Sequence, residues 1–198
     1  MKVTSIRMRK LNTSKFLASA TLTIDNAVAL PGIRLGKRED SGELFILMPT
    51  TAGKDDKLYE NFHPINSEAR AALQDAVITH YEKLCEDESL SGKLVQLSDE
   101  SDFKITNISV TPMTYDQSPL RAFANVTIDD AIVLRSIRLI QHEDHSFSVH
   151  MPTYRRRGDD SEAKPRYIDC YHPITHEARS AIEDAVVAAY SSLDDPAE

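Results

Sequence analysis

"HPINSEARAALQDAV" occupies residues 63–77, and "HPITHEARSAIEDAV" occupies residues 172–186, 109 positions later. In the first stretch and just beyond it, Ala69, Leu73, Ala76, Val77, Tyr81 and Leu84 recur at spacings of three and four. In the second, Ala178, Ile182, Ala185, Val186, Tyr190 and Leu193 repeat the pattern. That period predicts one amphipathic helix per copy, each opening after a His-Pro that the helix itself cannot contain. Asn66 or Ser67 suits the cap of the first helix and Thr175 that of the second.

The repetition extends upstream. ASATLTIDNAVALPGIRL at 18–35 aligns without gaps with AFANVTIDDAIVLRSIRL at 122–139, and Met48-Pro49-Thr50 matches Met151-Pro152-Thr153. The second copy then gains six residues before its His-Pro-Ile, a length change between periodic blocks, where loops absorb it. The chain is a tandem duplication. Its units are residues 1–84 and 104–193, joined by the acidic, Ser-rich stretch 85–103, which reads as a linker, and followed by an acidic tail at 194–198.

Within each unit the period is two before it becomes three to four. Ala18, Ala20, Leu22 and Ile24 alternate with Ser19, Thr21, Thr23 and Asp25, as Ala122, Ala124, Val126 and Ile128 do with their neighbours. Val3–Lys10, Val28–Leu35 and Leu44–Met48 are further candidate strands. The expected fold class is α+β: two small domains, each an antiparallel sheet closed by one C-terminal helix.

The net charge of −8 argues at first against a polyanion partner, but it is unevenly spread. Basic against acidic residues number 12 to 10 over 1–84, 1 to 6 over 85–103 and 10 to 15 over 104–198. No apolar run is long enough for a membrane span, and the start, MKVTSIRMRKL, lacks the apolar core of a signal peptide. Two isolated cysteines, Cys85 and Cys170, make no disulfide framework, so a reducing cytoplasm is expected.

In order and spacing, "VTSIRMRK" at 3–10, "ATLTID" at 20–25, "GIRL" at 32–35, "LFILMP" at 44–49 and "HPINSEAR" running into "QDAV" and Tyr81 resemble the bacterial SpoVG (stage V sporulation protein G, septation regulator) family. The likeness covers nearly all of residues 1–84 and, less closely, about 104–193. It implies a small DNA- and RNA-binding regulator of gene expression and cell division, usually a dimer whose strands pair across subunits. Members are usually single units, so the fused chain is expected to close as an intramolecular pseudo-dimer, with further homo-oligomerisation open.

The resemblance also implies that binding involves a basic loop after Met-Pro. That loop reads Thr50-Thr51-Ala52-Gly53-Lys54 in the first unit and Thr153-Tyr154-Arg155-Arg156-Arg157 in the second, so only the second keeps the arginines. The first strand shows the reverse: Arg7, Arg9 and Lys10 stand where the second unit has Ser109, Thr111 and Pro112.

Arg155, Arg156 and Arg157, with Lys164 and Arg166 beyond them and Tyr154 beside them, are the leading candidate nucleic-acid contacts. Guanidinium forks suit phosphate oxygens, and an aromatic ring stacks on an unpaired base. A solvated loop neutralised by Asp159, Asp160 and Glu162 is the competing account. Arg7, Arg9 and Lys10 extend such a surface, or blunt an exposed edge strand.

His63-Pro64 and His172-Pro173 invite a catalytic or metal reading, and His172 and His176 are four apart, but Pro173 sets His172 ahead of the helix and no third ligand joins that pair, which favours structural histidines at the strand-to-helix corner. No metal or cofactor is expected. Asp25, Asp129 and Asp130 suit hairpin turns. Glycine-rich phosphate loops and nucleophile motifs are missing from the sequence, so catalysis is not expected. The alternative function is a protein-interaction module that does not bind nucleic acid.

Overall fold

The computed structural model describes residues 1–11, 13–53, 55–113, 118–155 and 167–193. The first copy runs β1 (Val3–Lys10), β2 (Phe16–Ile24), β3 (Val28–Lys37), β4 (Leu44–Leu47), β5 (Thr50–Ala52), β6 (Leu58–Glu60), β7 (Phe62–Pro64) and helix α1 (Ser67–Glu86). The join holds a single 3-10 turn at Glu88–Leu90 and β8 (Leu94–Gln96). The second copy repeats the order: β9 (Ile105–Pro112), β10 (Leu120–Ile128), β11 (Ile132–Gln141), β12 (Phe147–His150), β13 (Thr153–Arg155), β14 (Tyr167–Asp169), β15 (His172–Pro173) and α2 (His176–Ser191). The fold is α+β, a six-stranded and a five-stranded antiparallel sheet with the two-stranded ribbons β5–β6 and β13–β14 and a helix after each half, as the two periods predict.

The β2–β3 and β10–β11 turns are three-residue loops whose first two residues have positive φ: 50° and 49° at Asp25-Asn26, 51° and 51° at Asp129-Asp130. Asp and Asn tolerate that region better than other side chains, and its twist matches that of the flanking strands. Each helix opens on the expected cap. Asn66 Oδ1 accepts from the Ala69 N–H at 2.7 Å, and Thr175 Oγ1 accepts from the Ala178 N–H at 3.1 Å. Ala69, Leu73, Val77, His80 and Leu84 face inward from α1, and Ala178, Ile182 and Val186 from α2.

The two copies exchange strands. The free edge of β3 is shared, with β4 paired along Arg34–Lys37 and β15 of the other copy paired at Val28 and Ala29. The edge of β11 is shared in the same way, with β12 along Arg138–Gln141 and β7 of the first copy along Ile132–Leu134. The Ile65 N–H donates to the Ala131 carbonyl and the Ile174 N–H to the Ala27 carbonyl, both at 2.8 Å, so each helix entry is tied to the other copy's hairpin. One continuous apolar core results, with Phe62 of β7 and Tyr171, next to β15, fully buried where the copies meet.

The acidic join is itself structured. β8 pairs antiparallel with β1, Leu94 opposite Arg7 and Gln96 opposite Ser5. Along Ser5–Arg7, β1 is therefore an inner strand, and Arg7 does not serve to blunt an open edge. Among the described residues no helix is long and apolar enough to cross a membrane.

Candidate functional site

Residues directly opposite each other on antiparallel strands share a face of the sheet. The face of the first sheet opposite α1 carries Arg9, Ser19, Arg34 and Leu47 in one row across β1, β2, β3 and β4. Arg7, beside Thr21 and Leu94, lies in the neighbouring row. Two strand spacings separate Arg9 from Arg34, roughly 10 Å of backbone. Ser19 and Thr21 between them are half-buried and polar, while Arg7, Arg9 and Arg34 are exposed and form no ion pair among the described residues.

Lys10 behaves differently. Its ammonium contacts Glu88 Oε1 at 2.8 Å, and that hydrogen bond holds the lysine above its ordinary pKa and the carboxylate below its own. The 3-10 turn of the join thus neutralises one of the three basic residues of β1. Arg9 lies close over Gly92, where a Cβ would stand 3.1 Å from its Nε; with φ +83° at Gly32 and +77° at Gly92, both glycines adopt backbone that other residues resist.

The basic row runs into a cleft of about 520 Å3. Lys15, Phe16, Arg34, Leu47 and Leu58 line it from the first copy, and Tyr154 of β13 reaches in from the second. The Phe16 ring is flanked by two cations, Lys15 Nζ 5.5 Å and Arg34 Cζ 6.0 Å from its centroid. At Gly32 a β-bulge between Ala20 and Leu22 lets β3 approach Pro49, to which a Cβ would come within 3.4 Å. Tyr154 is 44% exposed, and its neighbour Arg155, on β13 opposite Tyr167 of β14, is exposed as well.

Two candidate groups that lie far apart in sequence, the basic β1 and the Tyr154-Arg155 arm, are therefore linked through Arg34, which sits in a row with Arg9 and in a cleft with Tyr154. Arg156, Arg157, Lys164 and Arg166 lie outside the described residues. Sequence reading missed Arg34, Lys15 and Phe16. Arg34 was legible as an outward position of a period-two strand, but its neighbours across the sheet follow only from the register.

The second copy is arranged otherwise. Arg138, the counterpart of Arg34, is half-buried with its Nη2 3.4 Å from the Met151 carbonyl, and Arg121 is held by Gln141 Oε1 at 2.8 Å and the Ser118 carbonyl at 2.7 Å. Those guanidinium groups are engaged by their own unit.

The histidines do not converge. His172 lies on β15 and His176 opens α2, while His63 on β7 sits 3.9 Å from Glu60, with its pKa lowered chiefly by burial.

The aspartates do what turn residues do, and more. The Lys2 N–H donates to Asp25 Oδ1 at 2.8 Å and the Lys104 N–H to Asp129 Oδ1 at 3.1 Å. The two carboxyls also come within hydrogen-bonding reach of each other at the join, with the Met1 amine 3.1 Å from Asp129 Oδ2. Burial first, and then the Asp129 hydrogen bond, raise Asp25 from 3.8 to about 6.

Residues 1–83 and again 103–192 match the SpoVG family. A Staphylococcus saprophyticus protein named as a septation protein SpoVG is 36% identical over 103 residues, covering 98% of its own length and 52% of this chain. A Bacillus cytotoxicus protein of the same name is 37% identical over 87 residues, 88% of its length and 43% of this chain. A Listeria monocytogenes protein named SpoVG 2 is 34% identical over 90 residues, 86% of its length and 45% of this chain. Each relative is thus spanned almost entirely by about half of this chain. With two matched regions, each carrying the sheet and helix described above, the chain belongs to the SpoVG family and holds two copies of its unit.

Proposed function

We propose that the protein is a non-catalytic, nucleic-acid-binding regulator acting in septation or gene expression. The observation that carries this reading is the row of exposed arginines, Arg7, Arg9 and Arg34, on a polar sheet face that ends in a cleft holding Tyr154. Guanidinium groups on a rigid sheet meet phosphate oxygens without a large ordering cost, and Arg155, exposed on β13, extends the surface. No recognition helix is part of this surface, so contacts fall mainly on the backbone and sequence discrimination is modest. The relatives' names, septation proteins, support a process in septation, and the reading carries with it a cytoplasmic location. Binding to one chain as a closed pseudo-dimer replaces the association of two separate units by an intramolecular one.

The test is fluorescence anisotropy with labelled single-stranded and duplex oligonucleotides over a salt series. Affinity is expected to fall log-linearly with salt, by roughly 0.7–0.9 in slope per phosphate contacted. An absence of binding to either probe even at low salt overturns the reading. The exposed Leu47, Leu58 and Leu94 beside the basic face, 42%, 70% and 56% accessible, favour a second reading, a surface for a protein partner.

A further inference from the structure

Two clefts share Asn61 and Cys170 at related places in the two copies, and they have diverged. The larger, about 520 Å3, is the one holding Lys15, Phe16, Arg34 and Tyr154. Its counterpart is about 180 Å3, and there Arg135 lies over the Tyr59 ring at 5.9 Å. The positions equivalent to Lys15, Phe16 and Tyr154 are Pro119, Leu120 and Thr51. The cation and both aromatic rings that distinguish the first cleft are missing at those positions.

We propose that the larger cleft receives one unstacked base of a single-stranded nucleic acid, against the Tyr154 and Phe16 rings that line it, while Lys15 and Arg34, beside the Phe16 ring, hold the flanking phosphates. The proposal rests on the nucleic-acid reading and deepens it.

The occupant follows from the lining. A partly exposed ring from each copy lines the cleft, and stacking of a flat, polarizable base on an aromatic ring is open to any base. The volume lies within the range of small-molecule sites, sufficient for a base and too narrow for a duplex. The two cations on the rim match the charge of phosphates on either side of that base. Glu60 also lines the cleft; its carboxylate repels phosphate and accepts a hydrogen bond from a base amino group, which favours the base rather than the backbone as the inserted part. Because only one of the two clefts is so equipped, one chain takes one base in this manner.

The experiment uses the intact chain, a single strand of about ten nucleotides bearing 2-aminopurine at a central position, and the matching duplex. Phe16→Leu and Tyr154→Thr install the residues of the other copy at partly exposed positions, and circular dichroism verifies their folding. Wild-type protein is expected to quench 2-aminopurine. Each substitution is expected to weaken single-strand binding about tenfold and relieve the quenching, with a clearly smaller loss on the duplex. If wild type binds but the variants bind and quench as it does, or lose single strand and duplex equally, the cleft takes no base and the nucleic-acid reading stands. If wild type binds neither probe, both fall.

Discussion

Phe62 and Tyr171 hold the same place in the two copies, and their fully buried rings meet edge to face, centroids 6.4 Å apart with planes at 82°. Each ring immediately precedes or lies within the short strand its copy lends to the other sheet, so the contact sits where the exchange is made. The Tyr171 hydroxyl donates to the Arg135 carbonyl at 2.6 Å, a bond for which Phe62 has no group. Phe62→Ala is expected to cost about 3–5 kcal/mol. Tyr171→Phe is expected to cost about 1–3 kcal/mol through the orphaned carbonyl. Because each sheet contains a strand of the other copy, denaturant unfolding is expected to show one transition for the whole chain. Two separated transitions overturn the shared-core account.

Leu73 and Ile182 are equivalent and wholly buried, each the second inward residue of its helix. Truncating either to Ala is expected to cost about 2–5 kcal/mol, from lost transfer energy and the cavity left behind. The shared core predicts further that each truncation lowers the midpoint of the whole chain, not that of one half. Thermal melts followed at Tyr residues of both copies measure this.

The helices, the main strands and the duplication were legible because a period needs only neighbours in sequence. The exchange was not. Phe62-His63-Pro64 is too short to display alternation, and its partner Leu134–Ile132 lies about seventy positions away, so it reads as the lead-in to a helix. The β8 strand was hidden by composition: Leu94-Val95-Gln96 is a brief apolar step inside an acidic, Ser-rich stretch that reads as linker. At the candidate site, Tyr154, Arg155, Arg7 and Arg9 stood out by residue type. Arg34 and Phe16 did not, since their significance comes from what the register and the cleft set beside them. The Asp25–Asp129 pairing was likewise invisible, because each aspartate alone is an ordinary turn residue.

That pairing has a pH signature. The Asp25 carboxyl titrates near 6 in the folded protein against its ordinary 3.8, so between those values the folded state holds a proton the unfolded chain has released. Its stabilising contribution is full below 3.8 and is lost as pH rises through about 6. Asp25→Asn keeps an oxygen for the Lys2 N–H, offers an amide hydrogen to Asp129 and tolerates the positive φ. Above about pH 6 the variant is expected to melt a few degrees higher, about 2–4 °C for each kcal/mol gained. The gain is expected to shrink as pH falls. His63 and His80, both lowered by burial, act in the opposite sense, costing stability as pH falls below 6.5, and they cancel in the difference between variant and wild type. A difference that does not vary with pH removes the carboxyl pair as its cause.

The basic face makes its own discrimination among the residues of β1. Arg7, Arg9 and Arg34 are exposed and form no ion pair among the described residues, whereas Lys10 is engaged by Glu88. If phosphates lie along the outer face, Arg7→Ala, Arg9→Ala and Arg34→Ala each remove a contact and are expected to lower the salt slope of binding by about one, the triple variant by about three. Lys10→Ala releases an acidic neighbour along with the cation, and its effect on the slope is expected to be near zero. Replacing Arg155, Arg156 and Arg157 together is expected to lower the slope by up to about three, independently of the sheet if the two regions contact different phosphates. Anisotropy titrations at four or more salt concentrations give all of these slopes. Equal effects of Lys10→Ala and Arg9→Ala would mean that net charge alone governs binding. An unchanged slope in the triple sheet variant, with a full loss in the loop variant, would move the interface off β1–β3 and onto the arm that begins at Tyr154.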